Sequence, residues 1–307
     1  LEILYDGLLK FNSESNSFWD DVAAYVRFWI NERYELSNVS LGTAIALSFL
    51  GRSVRLYPEN PCLDFQGLQE KGLIKLENDI IKIPYFFVST FMLQGINTKY
   101  TQFWTTLLIK KNFWWQDWEV FNCNYITFRL SLFAYLGETR VSLKEFFAGA
   151  KMNIPEDIDI KIPSIEDLKV SRINYRYPST EAPAFDIGTH VLNGDGAPFD
   201  SFVYLNTNTN SKPLLLAFQM KSAKQESRTQ QVIGDGIVEL EFNKINNAVS
   251  NCIKGTDFVA IILGNCKGTV TESQLPSKCV VITKFVSLFR LSQPSLLYYC
   301  YGVCFTK

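Results

Sequence analysis

The sequence predicts an α/β protein, and three observations carry that prediction. Two short apolar runs, 199–205 and 214–220, flank a polar segment of Asn, Thr, Ser, Lys and Pro, the pattern of two strands joined by a loop. A long apolar stretch with helical spacing, 115–136, precedes them, and an amphipathic stretch, 237–252, with Val238, Leu240, Phe242, Ile245 and Val249 as its apolar residues, follows. Two further apolar runs, 257–263 and 279–283, have the texture of buried strands. With 184–192 read as a strand and 193–196 as a Gly-rich turn, the order from residue 115 onward is α-β-β-β-α-β-(β).

The run 214–220 is apolar at every second residue on both faces until its end. Strand side chains alternate, so Gln219 and Lys221 share a face with Leu215 and Ala217, while Leu214, Leu216, Phe218 and Met220 take the other. This predicts a central strand that delivers a polar pair at its tip. Asp200, at the start of the neighbouring run, meets that pair if the two runs pair as a hairpin. Glu119 is a rare acid near the start of the helical stretch, surrounded by Phe121, Tyr125, Phe128, Leu132 and Tyr135. It either favours the helix N-terminus or reaches the same polar end.

The combination of Phe199-Asp200 with Gln219-Met220-Lys221 resembles the PD-(D/E)XK nuclease superfamily, in the variant where Gln replaces the second acid. The element order above is also the αβββαβ core order of that restriction-endonuclease-like fold. The resemblance covers roughly 113–290. It implies a metal-dependent nuclease cutting DNA in preference to RNA, with Glu119, Asp200, Gln219 and Lys221 as catalytic residues. Glu119, Asp200, Gln219 and the Met220 backbone carbonyl would bind Mg²⁺ or Mn²⁺. Lys224, Arg228, Gln230 and Gln231, just past the motif, and Lys169, Arg172 and Arg176, before it, are candidates for phosphate contacts. Asp186 and Asp195 have no assigned role beyond support of a strand start and a turn. Two alternatives stand beside it: an inactive nuclease fold kept as a DNA-binding or protein-interaction module, and a purely structural α/β domain whose hairpin mimics the motif.

Residues 1–110 read as a separate helical and winged-helix-like domain, and 111–307 as the nuclease-like one. Helices are expected at 16–35 and 40–51, then a helix and a hairpin at 63–88 turning about Asn78-Asp79. This arrangement, with the aromatic segment 97–118 and Trp118-Glu119 opening the next helix, resembles the C-terminal part of Crinkler and retrotransposon-hot-spot (RHS) type proteins. In those, a P-loop ATPase region lies upstream. The resemblance implies an effector-type protein acting in a nucleus. The chain starts at Leu1 and is read as a fragment; no GxxxxGK[ST] loop occurs in it.

Composition constrains these readings. The 307 residues carry a net charge of −1, with 10 Lys and Arg against 12 Asp and Glu over 1–110 and 20 against 19 over the rest. That is not the balance of a DNA-coating protein, though a nuclease needs only a basic cleft. The seven cysteines are irregularly spaced without a CxxC pair, which argues for reduced, buried thiols rather than a zinc site. The single histidine, His190, lies in a strand-like run and is expected to be structural, so chemistry must come from carboxylates, lysine and metal. No apolar run is long enough to span a membrane. Residues 150–183, with four prolines, are expected to be loop-rich, with a short helix at 164–170.

Overall fold

A computed structural model describes residues 38–56, 63–70, 72–83, 88, 100, 102–103, 115–155, 158–179, 184–208, 212–221, 232–264 and 268–283. The helix expected at 16–35, most of the aromatic segment 97–118, and Lys224, Arg228, Gln230 and Gln231 lie outside the described residues.

The fold is mixed α/β, built on a seven-stranded sheet. Its strands are β4 (Lys151–Asn153), β6 (Lys169–Arg172), β7 (Thr189–Leu192), β8 (Ser201–Leu205), β9 (Leu214–Lys221), β10 (Phe258–Gly264) and β11 (Cys279–Thr283). Across the sheet they run β4-β11-β10-β9-β8-β7-β6. β7, β8 and β9 form an antiparallel meander, and β9, β10 and β11 run parallel. A parallel return needs a long crossover, and helix α5 (Asp235–Cys252) supplies it between β9 and β10.

β9 is central because its sequence is apolar on both faces; every residue from Leu214 to Met220 is buried. Its even-numbered side chains join the core under helix α3 (Trp115–Tyr135), and Leu215 and Ala217 join the core under α5 with Ile245 and Val249. This is the alternation expected from the sequence.

Helix α3 is buried on almost all sides from Asn122 to Phe133, between the sheet and helix α1 (Asn38–Leu50). Its polar side chains survive there by bonding back to the preceding turn. Asn122 Nδ2 donates to Trp118 O (2.6 Å), Asn124 Nδ2 to Val120 O (2.8 Å) and Thr127 Oγ1 to Cys123 O (2.8 Å). Buried Arg129 donates to Phe146 O at 2.7 Å and lies over the rings of Phe133 and Phe146.

In the N-terminal part, α2 (Phe65–Glu70) leads into the hairpin β1 (Lys75–Glu77) and β2 (Ile80–Lys82). Asn78 and Asp79 have φ of 51° and 62°, the left-handed pair that a two-residue turn requires. One continuous hydrophobic cluster runs from Leu41, Ile45 and Ile81 through Phe128 to Leu216, so residues on both sides of position 110 share a core. Tyr100, Phe103 and Trp118, the aromatics of segment 97–118 whose side chains are described, are buried in it.

Residues 150–179 correct one expectation. They hold three short strands, β4, β5 (Asp159–Lys161) and β6, and no helix occurs at 164–170, where a turn leads into β6. β5 pairs with β3 (Arg140–Ser142), just before the short helix α4 (Leu143–Phe146), and β4 and β6 close the two edges of the main sheet. Their polar, mostly exposed residues carry no alternating apolar signal. No described helix is long and apolar enough to cross a membrane.

Two-sided burial of β9 makes a clear prediction. Leu216→Ala should lower unfolding free energy in urea by about 2–5 kcal/mol. Leu240→Ala on α5, at a side chain 66% exposed, should stay within about 0.5 kcal/mol of wild type. Equal small losses would mean that β9 is not the central strand.

Candidate active site at the carboxyl end of β9

The antiparallel register of β8 with β9 pairs Ser201 with Phe218, which brings Asp200 beside Gln219 and Met220. Asp200 N donates to Phe218 O (2.9 Å), anchoring the backbone. Its carboxylate then receives two bonds at Oδ2: from Gln219 Nε2 at 2.6 Å and from Met220 N at 2.5 Å. The Met220 N–H thus holds Asp200, a role separate from the metal contact expected of its carbonyl. Because Oδ2 accepts, the Gln219 amide must turn its nitrogen toward Asp200 and its oxygen away. That oxygen, Oε1, is buried and has no hydrogen-bond partner among the described residues.

The segment leading to Asp200 is held from the other side by Asn193. Its Oδ1 accepts from Tyr177 N (2.8 Å), and its Nδ2 donates to Tyr177 O (2.7 Å) and Phe199 O (3.0 Å). Gly194 passes so close to Tyr175 that a Cβ there would meet the Tyr175 carbonyl oxygen at 2.5 Å, so only glycine fits. Arg176 donates from Nε to Asp195 O (3.0 Å) and so braces this turn.

Glu119, part-buried in α3, lies within electrostatic reach of Asp200. Burial, and then the Asp200 charge, raise its carboxyl to about 7. Arg172, exposed at the end of β6, acts in the opposite direction on Glu119, and Asp195 adds to the rise. Asp200 itself is raised to about 6, first by burial; the Met220 N–H and the charges of Lys221 and Lys244 oppose that. Lys221 Nζ donates to Glu241 Oε1 on α5 at 2.6 Å.

The structure therefore gathers Asp200, Gln219, Met220 and Lys221 at one strand end, with Glu119 and Arg172 in the same electrostatic neighbourhood. It separates Lys169 and Asp186, which line a cavity of about 530 Å³ with Asn206 at the opposite end of the sheet. His190 is fully buried against Phe218, bonded through Nε2 to Ser201 Oγ (3.0 Å) and held neutral, its pKa lowered to about 3 by burial. Cys123 approaches the same Ser201, and burial raises its thiol to about 12. The described cysteines, Cys123, Cys252 and Cys279, are free.

Glu241 is the residue that sequence reasoning missed. It is 7% exposed, while Leu240, expected to be on the apolar face of its helix, is exposed. The signal was the spacing 238, 241, 245, 249, which puts Glu241 on the buried stripe of α5.

The donors available to a metal ion are all oxygens: Glu119, Asp200 and Gln219 Oε1. Such hard donors fit Mg²⁺ or Mn²⁺, and the orphaned Gln219 oxygen is the atom that a cation would satisfy. Among the described residues, no three His, Cys, Asp or Glu side chains gather closely enough to hold a metal ion, so the amide oxygen is needed in the set. In comparisons with known proteins, no family model, curated protein or solved structure matches this chain.

The raised carboxylates imply a pH dependence with a definite sign. Asp200 ionises less readily in the folded chain than in the unfolded one, so its contribution to stability is full below about pH 4 and is lost as pH rises through about 6. The gap from 3.8 to about 6 corresponds to at most on the order of 3 kcal/mol. Asp200→Asn should remove this share of the loss, so that urea stability falls less steeply between about pH 4 and 6.5, with Glu119 carrying the slope that remains. An unchanged slope in the variant would mean that Asp200 is not the buried group responsible.

Proposed function

We propose that this chain is a metal-dependent nuclease of PD-(D/E)XK type that hydrolyses phosphodiester bonds, of DNA in preference to RNA. The observation that carries this reading is the junction at the tip of β9. A part-buried carboxylate, a buried amide whose oxygen has no partner among the described residues, and a lysine meet there on one strand end. The order α3, β7, β8, β9, α5, β10 supports the finer reading of the fold as restriction-endonuclease-like. The Asp-to-Lys spacing across the β8–β9 hairpin supports it too.

In this reading Asp200, Glu119 and Gln219 Oε1 hold Mg²⁺ or Mn²⁺. The ion supplies a bound water of lowered pKa and charge stabilisation at the phosphorus. The protein's own contribution is positional. The Gln219 and Met220 N–H groups fix the Asp200 carboxylate on one oxygen. Lys221 carries positive charge at the strand tip, where it offsets charge developing on the phosphate. Arg172, at the mouth, offers a phosphate contact, while Arg176 is occupied in bracing the turn at Asp195. Glu119, raised to about 7, must ionise to bind a cation, so cleavage should rise as pH passes from 6 to 8.

The same resemblance supports an effector-type role in a nucleus, alongside a P-loop ATPase region. The second reading, an inactive fold serving as a DNA-binding or protein-interaction module, is favoured by one observation. An amide at position 219 removes a negative charge from a site that already lacks three gathered carboxylates.

A cleavage assay separates the two. Plasmid DNA and RNA would be incubated with wild type, Asp200→Ala and Lys221→Ala, in Mg²⁺, Mn²⁺ or EDTA. Metal-dependent cutting by wild type, reduced by about a hundredfold or more in either variant, is the expected result. An absence of cutting under every metal would leave the binding module as the better account.

A further inference from the structure

The buried stripe of α5 consists of Val238, Glu241, Ile245 and Val249. A carboxylate on such a stripe loses several kcal/mol of hydration unless it is well compensated. Glu241 is hydrogen-bonded at one oxygen only. Oε1 accepts from Lys221 Nζ at 2.6 Å, while Oε2 is buried without a hydrogen-bond partner among the described residues. Lys244, one turn along the helix, stands 3.6 Å from Oε2 and is about half exposed.

A second orphan lies close by. Gln219 is 5% exposed, and its Oε1 also lacks a partner among the described residues. Alternation along β9 puts Gln219 and Lys221 on the α5 side of the sheet. Asp200 holds the Gln219 amide and feels the charges of Lys221, Lys244 and Glu241. Two buried oxygens without a hydrogen-bond partner among the described residues, and the Asp200 carboxylate, therefore surround the end of β9; Lys221 is bonded to the other Glu241 oxygen, and Lys244 faces Oε2 only at ion-pair distance.

We infer that Glu241 is a further ligand of the divalent-cation site, supplying from α5 the negative charge that an amide at position 219 withholds. The inference rests on the metal-dependent reading above. Without a cation, Lys221 serves as the counter-ion of Glu241. Glu119, Asp200 and Glu241 are not gathered here closely enough to share an ion, so to hold one Glu241 would have to turn away from Lys221, which would leave the lysine free for the phosphate. Lysine and metal thus compete for one carboxylate, and the ion that enters also frees the ammonium that the reaction uses.

The test is Mn²⁺ binding to the full chain, followed by calorimetry, with no nucleic acid present. Wild type, Asp200→Ala, Glu241→Gln, and Glu241→Gln combined with Gln219→Glu would be compared. Glu241→Gln should weaken Mn²⁺ binding by about tenfold or more, and adding Gln219→Glu should bring affinity back to within about threefold of wild type. Lys221→Met removes the competitor and should tighten Mn²⁺ binding about threefold or more, which keeps the idea testable if Glu241→Gln does not fold. Wild-type affinity in Glu241→Gln, with binding lost in Asp200→Ala, would overturn the role of Glu241 while leaving the metal site standing. Unchanged or weaker binding in Lys221→Met would overturn the competition. No Mn²⁺ binding by wild type would remove the metal-dependent reading itself.

Discussion

The end of β9 depends on how one part-buried carboxylate is held. Asp200 Oδ2 takes an N–H from the Gln219 side chain and another from the Met220 backbone, so the strand that ends the core also orients the acid. This single pair of bonds fixes the Gln219 amide and turns its oxygen away from Asp200, where it finds no partner among the described residues. The register of β8 against β9 makes the bonds possible, and the two-sided burial of β9 keeps that register from slipping, since a shift of one residue would exchange its two faces. The chemistry proposed for the site is thus a consequence of the hydrophobic pattern of one strand.

The same burial sets the electrostatics. Glu119 and Asp200 come from different elements, and both are pushed toward their neutral forms first by loss of water; the Asp200 charge adds to the rise at Glu119, and the Glu241 charge adds to the rise at Asp200. A site that strains against ionisation gains stability when a cation arrives, because the cation offsets the repulsion between carboxylates. In the proposed site, an amide at position 219 carries one negative charge fewer than an acid there would, which eases that strain at the cost of cation affinity. Glu241, neutralised by Lys221, keeps a negative charge nearby without leaving it uncompensated in the apo chain.

Much of the central fold was legible because its signals are local. The strand expected at 279–283 is found at those residues, the turn at Asn78-Asp79 adopts the left-handed geometry its residue types favour, and α3 and α5 fall within two residues of their expected bounds. The edge strands were not legible. β4 and β6 are three and four residues long, mostly exposed, and acquire their structure from pairing with β11 and β7 far along the chain. At the site, Asp200, Gln219 and Lys221 were readable from alternation and hairpin pairing. Glu241 was not, because Leu240 and Phe242 on either side of it drew the apolar face of α5 one position away. Leu240 in fact faces solvent, and Glu241 takes the inward place because Lys221 is there to meet it. Periodicity ranks positions by side-chain polarity and does not register a partner on another element.

The most direct test of the central claim is the position of a bound ion. Crystals grown with Mn²⁺ would be measured for anomalous scattering. The account predicts a peak at the tip of β9, about 2.0–2.3 Å from an Asp200 oxygen and from Gln219 Oε1. A Gln219 oxygen satisfied instead by a protein group, with no anomalous peak beside Asp200, would contradict it.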